Sequence, residues 1–376
     1  MVASATLRTG DSDIAVVDAG TYEVRIGPGL LSTVGAMVAA VAPAHRYVLV
    51  SDSNVAPLYA ARLSDQLNSA GGPVVAVTIA AGESQKTVAT WAAITDQLLA
   101  SRLGRDTTIV ALGGGVVCDV AGFVAATFLR GVPVVHVPTT LLAMIDASIG
   151  GKTGVDTAHG KNLVGAFHQP AAVLVDPEVL DTLPEPELRS GLAEALKHGA
   201  IADAEYFDFV AATAPRLLAP NQRKRDVLAL NHVIEKSVRL KVGVVAADER
   251  ERGARKALNF GHTIGHAIEL LSGFTMRHGE AVGVGMLLET TAAERAGVTE
   301  IGTAARIHES LLGAGLPVVR PTGPSARDLL DLMLGDKKSR SGSVEYAVPA
   351  RIGMMAAAEH GYTVHLPDSL VAEVLA

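Results

Sequence analysis

The densest group of side chains able to do chemistry runs through Asn259, Gly261, His262, Gly265 and His266, with His278 and Glu280 close behind. On a helix His262 and His266 lie one turn apart on the same face, a spacing that serves a metal ion, or a metal ion and its substrate. The run is not H-E-x-x-H, so the glutamate base of a zinc peptidase is missing and protease chemistry is disfavoured. His278 could join after a turn, and Glu194 on an earlier helix could add a carboxylate, leaving coordination positions open for catalysis. Taken singly, each histidine reads as an ordinary hydrogen-bonded residue; the cluster is what points to a catalytic ion.

Around this cluster lie residues suited to anions. Lys197 follows Glu194 by three positions and shares its helix face, while Lys241, Glu251 and Arg255 precede the histidines. Arg130, Asp146, Lys152, Lys161 and Asn162 stand among Gly150, Gly151, Gly154 and Gly160, and cations on such a short-side-chain frame suit an anionic substrate. Gly113, Gly114 and Gly115 close one apolar run and open a helical one, which lets helix-start amides approach a pyrophosphate without Cβ obstruction, although the run is not G-x-G-x-x-G. Asp52 and Asn54 offer oxygens for ribose or an adenine edge, and Glu83 and Lys86 follow a further strand. Asp336, Lys337 and Lys338 precede a return strand expected at Val344 to Val348, whereas Arg223, Lys224 and Arg225 read as a solvated helix face.

These residues need a scaffold, and the chain supplies an alternating one. Strands are expected at Tyr22 to Ile26, Tyr47 to Val50, Val74 to Ile79, Thr107 to Leu112, Val134 to Val137 and Val173 to Val175. Helical spacing at Val55 to Leu67 and Ser84 to Leu99 falls between them, so the expected unit is a mostly parallel sheet covered on both faces. Its ligands belong at the carboxyl ends of the strands, where Asp52, Gly82, the three glycines, Thr139 and Thr140 fall. After Pro184 the segments Glu185 to His198, Val227 to Val244, Thr263 to Leu271 and Glu280 to Arg295 are helical, so a domain boundary is expected near residue 183.

Composition narrows the class. The 376 residues are 49% apolar and carry a net charge of −7, which excludes general disorder and argues against a dedicated nucleic-acid binder. A single cysteine, Cys118, cannot form an internal disulfide. It gives no reason to expect an oxidising compartment, so a cytoplasmic location is expected, and neither a secretory signal nor a membrane span is read.

The chain resembles the sugar-phosphate cyclases, and within them the 3-dehydroquinate synthase family, over nearly its whole length. The resemblance is carried by Gly113 to Phe123, Arg130 and Gly131, Val137 to Leu142, Asp146 with Ser148, Gly150 to Thr153, Gly160 to Asn162, Thr182 to Pro184, Gly191 to Lys197, Leu258 to His266, and His278 to Glu280. It implies an α/β NAD-binding domain with a mostly parallel sheet over residues 1–183 and an all-α metal- and substrate-binding domain over 184–376. An active site between the domains and a homodimer are also implied. Carried over by position, NAD would meet Asp52, Asn54, Glu83, Lys86, Gly114, Gly115, Val116, Asp119, Thr139, Thr140, Leu142, Lys161 and Thr182. A divalent ion, zinc or cobalt, would take Glu194, His262 and His278. Substrate would meet Arg130, which reaches across from the other subunit, Asp146, Lys152, Asn162, Lys197, Lys241, Arg255, Asn259, His266 and one of Lys337 and Lys338.

The implied reaction turns 3-deoxy-arabino-heptulosonate 7-phosphate into 3-dehydroquinate and phosphate, a step of the shikimate route to chorismate and the aromatic amino acids. A transient NAD-dependent oxidation at C5 acidifies the C6 hydrogen, phosphate leaves by β-elimination, hydride returns, and the opened ring recloses by an aldol step. Cyclases making aminodehydroquinate or valiolone share most of this frame. Lys241, Asn259 and His266 together favour the dehydroquinate branch over the inosose branch. A metal-dependent polyol dehydrogenase would not be expected to carry the Arg130, Lys152 and Asn162 set. A catalytically silent NAD-binding protein would not need the Glu194, His262, His278 and Lys197 set.

Overall fold

The computed structural model describes residues 14–219, 226–273, 275–323, 325–337 and 344–376, with the backbone alone at 335–337. The described residues divide into two compact units between Leu183 and Pro184. Arg223, Lys224, Arg225 and Lys338 lie outside the described residues, as does the side chain of Lys337.

In the first unit the chain runs β1 (Ala15–Asp18), β2 (Glu23–Ile26), α1 (Val34–Val41), β3 (Arg46–Asp52), α2 (Ala56–Ser69), β4 (Val74–Ile79), α3 (Val88–Ala100), β5 (Thr107–Gly113), α4 (Gly115–Thr127) and β6 (Val134–Pro138). A hairpin of β7 (Lys152–Thr157) and β8 (Gly160–Phe167) follows, then β9 (Ala172–Val175). Seven strands form one sheet in the order β1-β2-β9-β6-β5-β3-β4, parallel except where β1 meets β2. Every residue of β5 is buried, as a parallel strand covered on both faces requires. Val48, Val50, Ile109, Ala111 and Val134 pack with Ile94 and Leu98 of α3 and Val117, Val120 and Val124 of α4. The intervening Leu49, Val110 and Val135 are equally buried and point to the opposite face, where α1 lies against β9 and α2 against β3 and β4.

Two local features differ from the expectation. The helix expected from Ser84 starts at Val88, because Glu83–Gln85 forms a separate 3-10 turn after Gly82 and the Thr87 hydroxyl accepts the Thr90 N–H at 3.1 Å. The glycine- and lysine-rich stretch from Lys152 to Phe167 is a two-stranded ribbon outside the main sheet. It lies against α4 through Gly122, where an added Cβ would come within 2.5 Å of the Thr153 methyl.

The second unit contains α5 (Glu185–Ala202), α6 (Ala204–Leu218), α7 (Val227–Ala247), α8 (His262–Leu271), α9 (His278–Arg295), α10 (Thr303–Gly313), α11 (Ala326–Lys337) and α12 (Asp368–Leu375). From Ser190 to Ile201 α5 is buried without interruption, so it is a central helix, while α8, α9, α11 and α12 share an apolar core through Ile264, Ile268, Val284, Leu329 and Val371. The unit is helical with two short antiparallel pairs added: β10 (Glu345–Tyr346) with β13 (Val364–His365), and β11 (Pro349–Arg351) with β12 (Met354–Met355). No helix among the described residues is long and apolar enough to cross a membrane.

Candidate active site

Three helices of the second unit bring the metal candidates together. Glu194 comes from α5 and is wholly buried, His262 is the first residue of α8, and His278 is the first residue of α9. The Glu194 carboxylate divides its oxygens: Oε2 pairs with the buried Lys197 ammonium, three residues along α5. Its Oε1 lies 3.8 Å from His262 Nε2 and 3.5 Å from His278 Nε2. The other ring nitrogens have their own acceptors, for His262 Nδ1 donates to the Phe260 carbonyl at 3.1 Å and His278 Nδ1 to Glu269 Oε2 at 3.4 Å. Two Nε2 atoms and one carboxylate oxygen therefore converge, with outer partners setting both rings, which is the donor arrangement a zinc-like ion takes.

His266 lies one turn along α8, its ring centroid 5.1 Å from that of His262 and 6.0 Å from that of His278. It forms a second possible ligand group with Glu269 and His278. The electrostatics separate the two residues that start α8 and α9. Burial and the nearby Lys197 charge push His262 well below the ordinary histidine range. Burial opposes charge on His278 as well, but the Glu194 and Glu269 carboxylates overcome it and raise its pKa to about 9.

The remaining candidates of this unit are held firmly. Lys241 is buried on α7, and Arg255 is buried on a 3-10 stretch, Ala254–Asn259. Asp248 organises the approach to that stretch, its Oδ1 accepting the Arg252 N–H at 3.0 Å and its Oδ2 the Gly253 and Arg255 N–H groups at 2.6 and 3.1 Å. Arg255 Nη1 donates to the Glu249 carbonyl at 2.6 Å, and Asn259 Nδ2 to Glu251 Oε1 at 2.5 Å.

In the first unit the sheet delivers its candidates to one edge. Asp52, Gly113 and Pro138 end the parallel strands β3, β5 and β6, and Thr139 and Thr140 follow directly. The first intrahelical bond of α4 runs from the Cys118 N–H to the Gly114 carbonyl, so the Gly115, Val116 and Val117 amides at its start lack helical acceptors. A Cβ at Gly114 would press the Thr140 methyl at 3.1 Å, whereas Gly113 is needed for packing, since its Cβ would meet Val117 Cβ at 2.6 Å. Thr139 Oγ1 is buried and has no hydrogen-bond partner among the described residues. Open amides, a glycine cradle and an unanswered hydroxyl at the carboxyl edge of a parallel sheet fit a dinucleotide.

Charges flank that edge. Lys86 Nζ lies 2.5 Å from Asp119 Oδ2 on α4, and Lys161 Nζ 2.8 Å from Glu83 Oε1. Burial disfavours the Lys86 ammonium, yet Asp119, Glu83 and Asp156 push its pKa up, so it is charged at any physiological pH. Asp52 Oδ1 is taken by the Asn54 and Val55 N–H groups at 2.8 and 3.0 Å in the turn that leads into α2. Thr182 Oγ1 shares a hydrogen bond of 2.8 Å with the Tyr59 hydroxyl, and Leu142 precedes a single π turn, Ala143–Ala147, that carries Asp146. Lys152 starts β7, and Asn162 sits on β8 with φ +54, its N–H held by Asp156 Oδ1 at 2.8 Å. Arg130 is exposed in a turn where Leu129, Arg130 and Gly131 have φ of +49, +72 and +118, and its guanidinium has no partner among the described residues.

Asp248, Glu269 and Glu289 escape a reading of the sequence. Glu269 carried one usable signal, its place three residues after His266 and seven after His262, on the histidine face of α8.

Residues 76–190 match the model of the 3-dehydroquinate synthase N-terminal family, and residues 191–339 match that of the 3-dehydroquinate synthase C-terminal family. The 3-dehydroquinate synthase of Symbiobacterium thermophilum is 45% identical over 334 residues, covering 88% of this chain and 92% of that protein. Among solved structures, a 2-deoxy-scyllo-inosose synthase complexed with carbaglucose-6-phosphate, NAD+ and Co2+ matches with a TM-score of 0.86 at 25% identity, over 96% of this chain and 99% of that one. The 2-epi-5-epi-valiolone synthase of Streptomyces hygroscopicus subsp. jinggangensis, with NAD+ and Zn2+ bound, matches with a TM-score of 0.81 at 28% identity, over 96% and 97% of the two chains. The chain belongs to the 3-dehydroquinate synthase family.

Proposed function

We propose that this protein converts 3-deoxy-arabino-heptulosonate 7-phosphate to 3-dehydroquinate and phosphate, in the shikimate route. The observation that carries the reading is the convergence of His262 Nε2, His278 Nε2 and Glu194 Oε1, in a chain of this family. These three residues would hold a zinc or cobalt ion, and taking it requires His278 to release its Nε2 proton. Lys197 secures Glu194 Oε2 and so leaves Oε1 for the ion. NAD would rest on the amides of Gly114, Gly115 and Val116, the hydroxyls of Thr139, Thr140 and Thr182, and the charged frame of Asp52, Glu83, Lys86, Asp119 and Lys161, with Asn54 and Leu142 completing its surroundings. When bound, NAD supplies a transient hydride acceptor and donor, and the ion polarises the hydroxyl that is oxidised.

The residues that orient and balance the substrate phosphate are Lys152, Asn162, Arg130 and His266, so that the phosphate can take up the C6 proton as it departs. Asp146, Lys197, Lys241, Arg255, Asn259 and one of Lys337 and Lys338 bind the rest of the sugar acid. Arg130 serves the other subunit of a homodimer; its exposure and its unanswered guanidinium support this role. A cytoplasmic location fits a chain whose single cysteine, Cys118, is free and buried.

The test is turnover on a panel. Phosphate release is followed with 3-deoxy-arabino-heptulosonate 7-phosphate, its amino analogue, sedoheptulose 7-phosphate and glucose 6-phosphate, each with NAD and zinc or cobalt. The first substrate should be turned over with the highest kcat/KM. Preference for another would move the chain to a different cyclase activity.

A further inference from the structure

We propose that Glu289, a residue outside the ligand set, is a positioning residue that fixes the start of α8 so that His262 meets the ion. The proposal rests on the metal reading above. Gly261 caps α8 with a φ of +77 and has no side chain with which to satisfy the first-turn amides. Glu289 comes from α9, is wholly buried, and does this instead: Oε2 accepts the Gly261 N–H at 2.8 Å and Oε1 the Ile264 N–H at 2.9 Å. One carboxylate thus spans the amides on either side of His262, where a negative charge also suits the helix dipole.

A local cap is ruled out by packing. A Cβ at Gly261 would stand 2.5 Å from Met286 Cγ and 2.7 Å from the Val282 carbonyl oxygen, so neither Ser nor Asp fits there. The acceptor has to come from α9, and α9 comes close enough because Gly285 has no Cβ: one added there would lie 2.0 Å from the Gly261 oxygen. His278, Gly285 and Glu289 are spaced seven and four residues apart and share one stripe of α9. The tie is reciprocal, since Glu269 of α8 accepts from His278 of α9. Two buried carboxylates therefore cross-link the helices that bear the imidazoles, and among the described residues Glu289 joins no possible ligand group.

The test uses the full chain with Glu289→Gln, which keeps volume but sets an amide N–H2 against one of the two donors, and Glu289→Ala. Zinc affinity is measured by competition with a chromophoric chelator, the cobalt-loaded proteins are compared by their visible absorption bands, and the metal-free proteins by thermal unfolding. Zinc binding about 10- to 100-fold weaker in the Gln variant, with altered cobalt bands, is the expected result. A Gln variant that melts earlier but binds zinc as the wild type does, with unchanged cobalt bands, would overturn the proposal, because the carboxylate would then serve stability alone. Should the Ala variant not fold, the Gln variant decides. A wild-type protein that takes up neither metal would overturn the metal reading and this proposal with it.

Discussion

One methyl group added at Gly285 should part the two helices that carry the imidazoles. The Cβ of Gly285→Ala would stand 2.0 Å from the Gly261 carbonyl oxygen and 2.9 Å from both the Gly261 carbonyl carbon and the Gly265 nitrogen, so every obstructing atom is backbone. Restoring ordinary contact requires α8 and α9 to move apart by about 1 Å or more. Metal ligation tolerates about 0.2 Å, so His262 and His278 could no longer serve one ion together. The overpacking itself should cost about 1–3 kcal/mol, towards the upper end because no flexible side chain can give way. Gly243→Ala is the matched control: Gly243 lies inside α7 with nothing within 4 Å of its added Cβ, and the change should raise stability by about 0.5–1 kcal/mol. Urea unfolding of the metal-free proteins and chelator competition for zinc read both effects. If Gly285→Ala unfolds at the wild-type urea concentration and keeps wild-type zinc affinity, the helices do not depend on that close approach and the reasoning fails.

Three further outcomes follow from assigned roles. His262→Ala should lose bound metal and activity together, whereas Lys152→Ala should keep its metal, by elemental analysis, and raise the KM for the phosphorylated substrate. Because Arg130 is assigned to the opposite subunit, mixed and re-equilibrated Arg130→Ala and His262→Ala proteins, each inactive alone, should regain about a quarter of wild-type activity: half of the dimers would be mixed, each with one intact site. No recovery would place Arg130 in its own subunit's site. In the first unit, burial lowers the His136 pKa to about 4, aided by His168, so the fold holds it neutral while the unfolded chain binds a proton below about pH 6.5. Stability should therefore fall as pH drops from 6.5 towards 4, by about 2 kcal/mol at pH 5 from this group, a slope measurable by urea unfolding and absent in His136→Gln.

What the sequence disclosed depended on how local the signal was. The β3, β5 and β6 strands were legible because buried parallel strands are nearly continuous β-branched runs, and with them came the positions of Asp52, Gly113 to Gly115 and Thr139. The pairing of His262 and His266 was legible because helical spacing sets it, whereas the approach of Glu194 is a tertiary event between α5 and α8 that spacing cannot report. The β7–β8 ribbon was hidden by its own composition: Gly, Lys and Asn mask the alternation that usually marks a strand. Glu289 looks like an ordinary helix-surface glutamate in sequence, and only its burial against α8 shows what it holds, whereas Glu269 at least shares the histidine face of α8. Asp248 was missed for a similar reason, since its three backbone acceptances depend on a tight loop.

The central claim is that this chain runs an internal redox cycle on a phosphorylated sugar acid, and product stoichiometry tests it most directly. Metal-loaded protein with catalytic NAD should release phosphate and form 3-dehydroquinate in equal amounts from 3-deoxy-arabino-heptulosonate 7-phosphate, with no accumulation of NADH. NADH growing in step with substrate consumption, or phosphate released without the carbocycle, would contradict it.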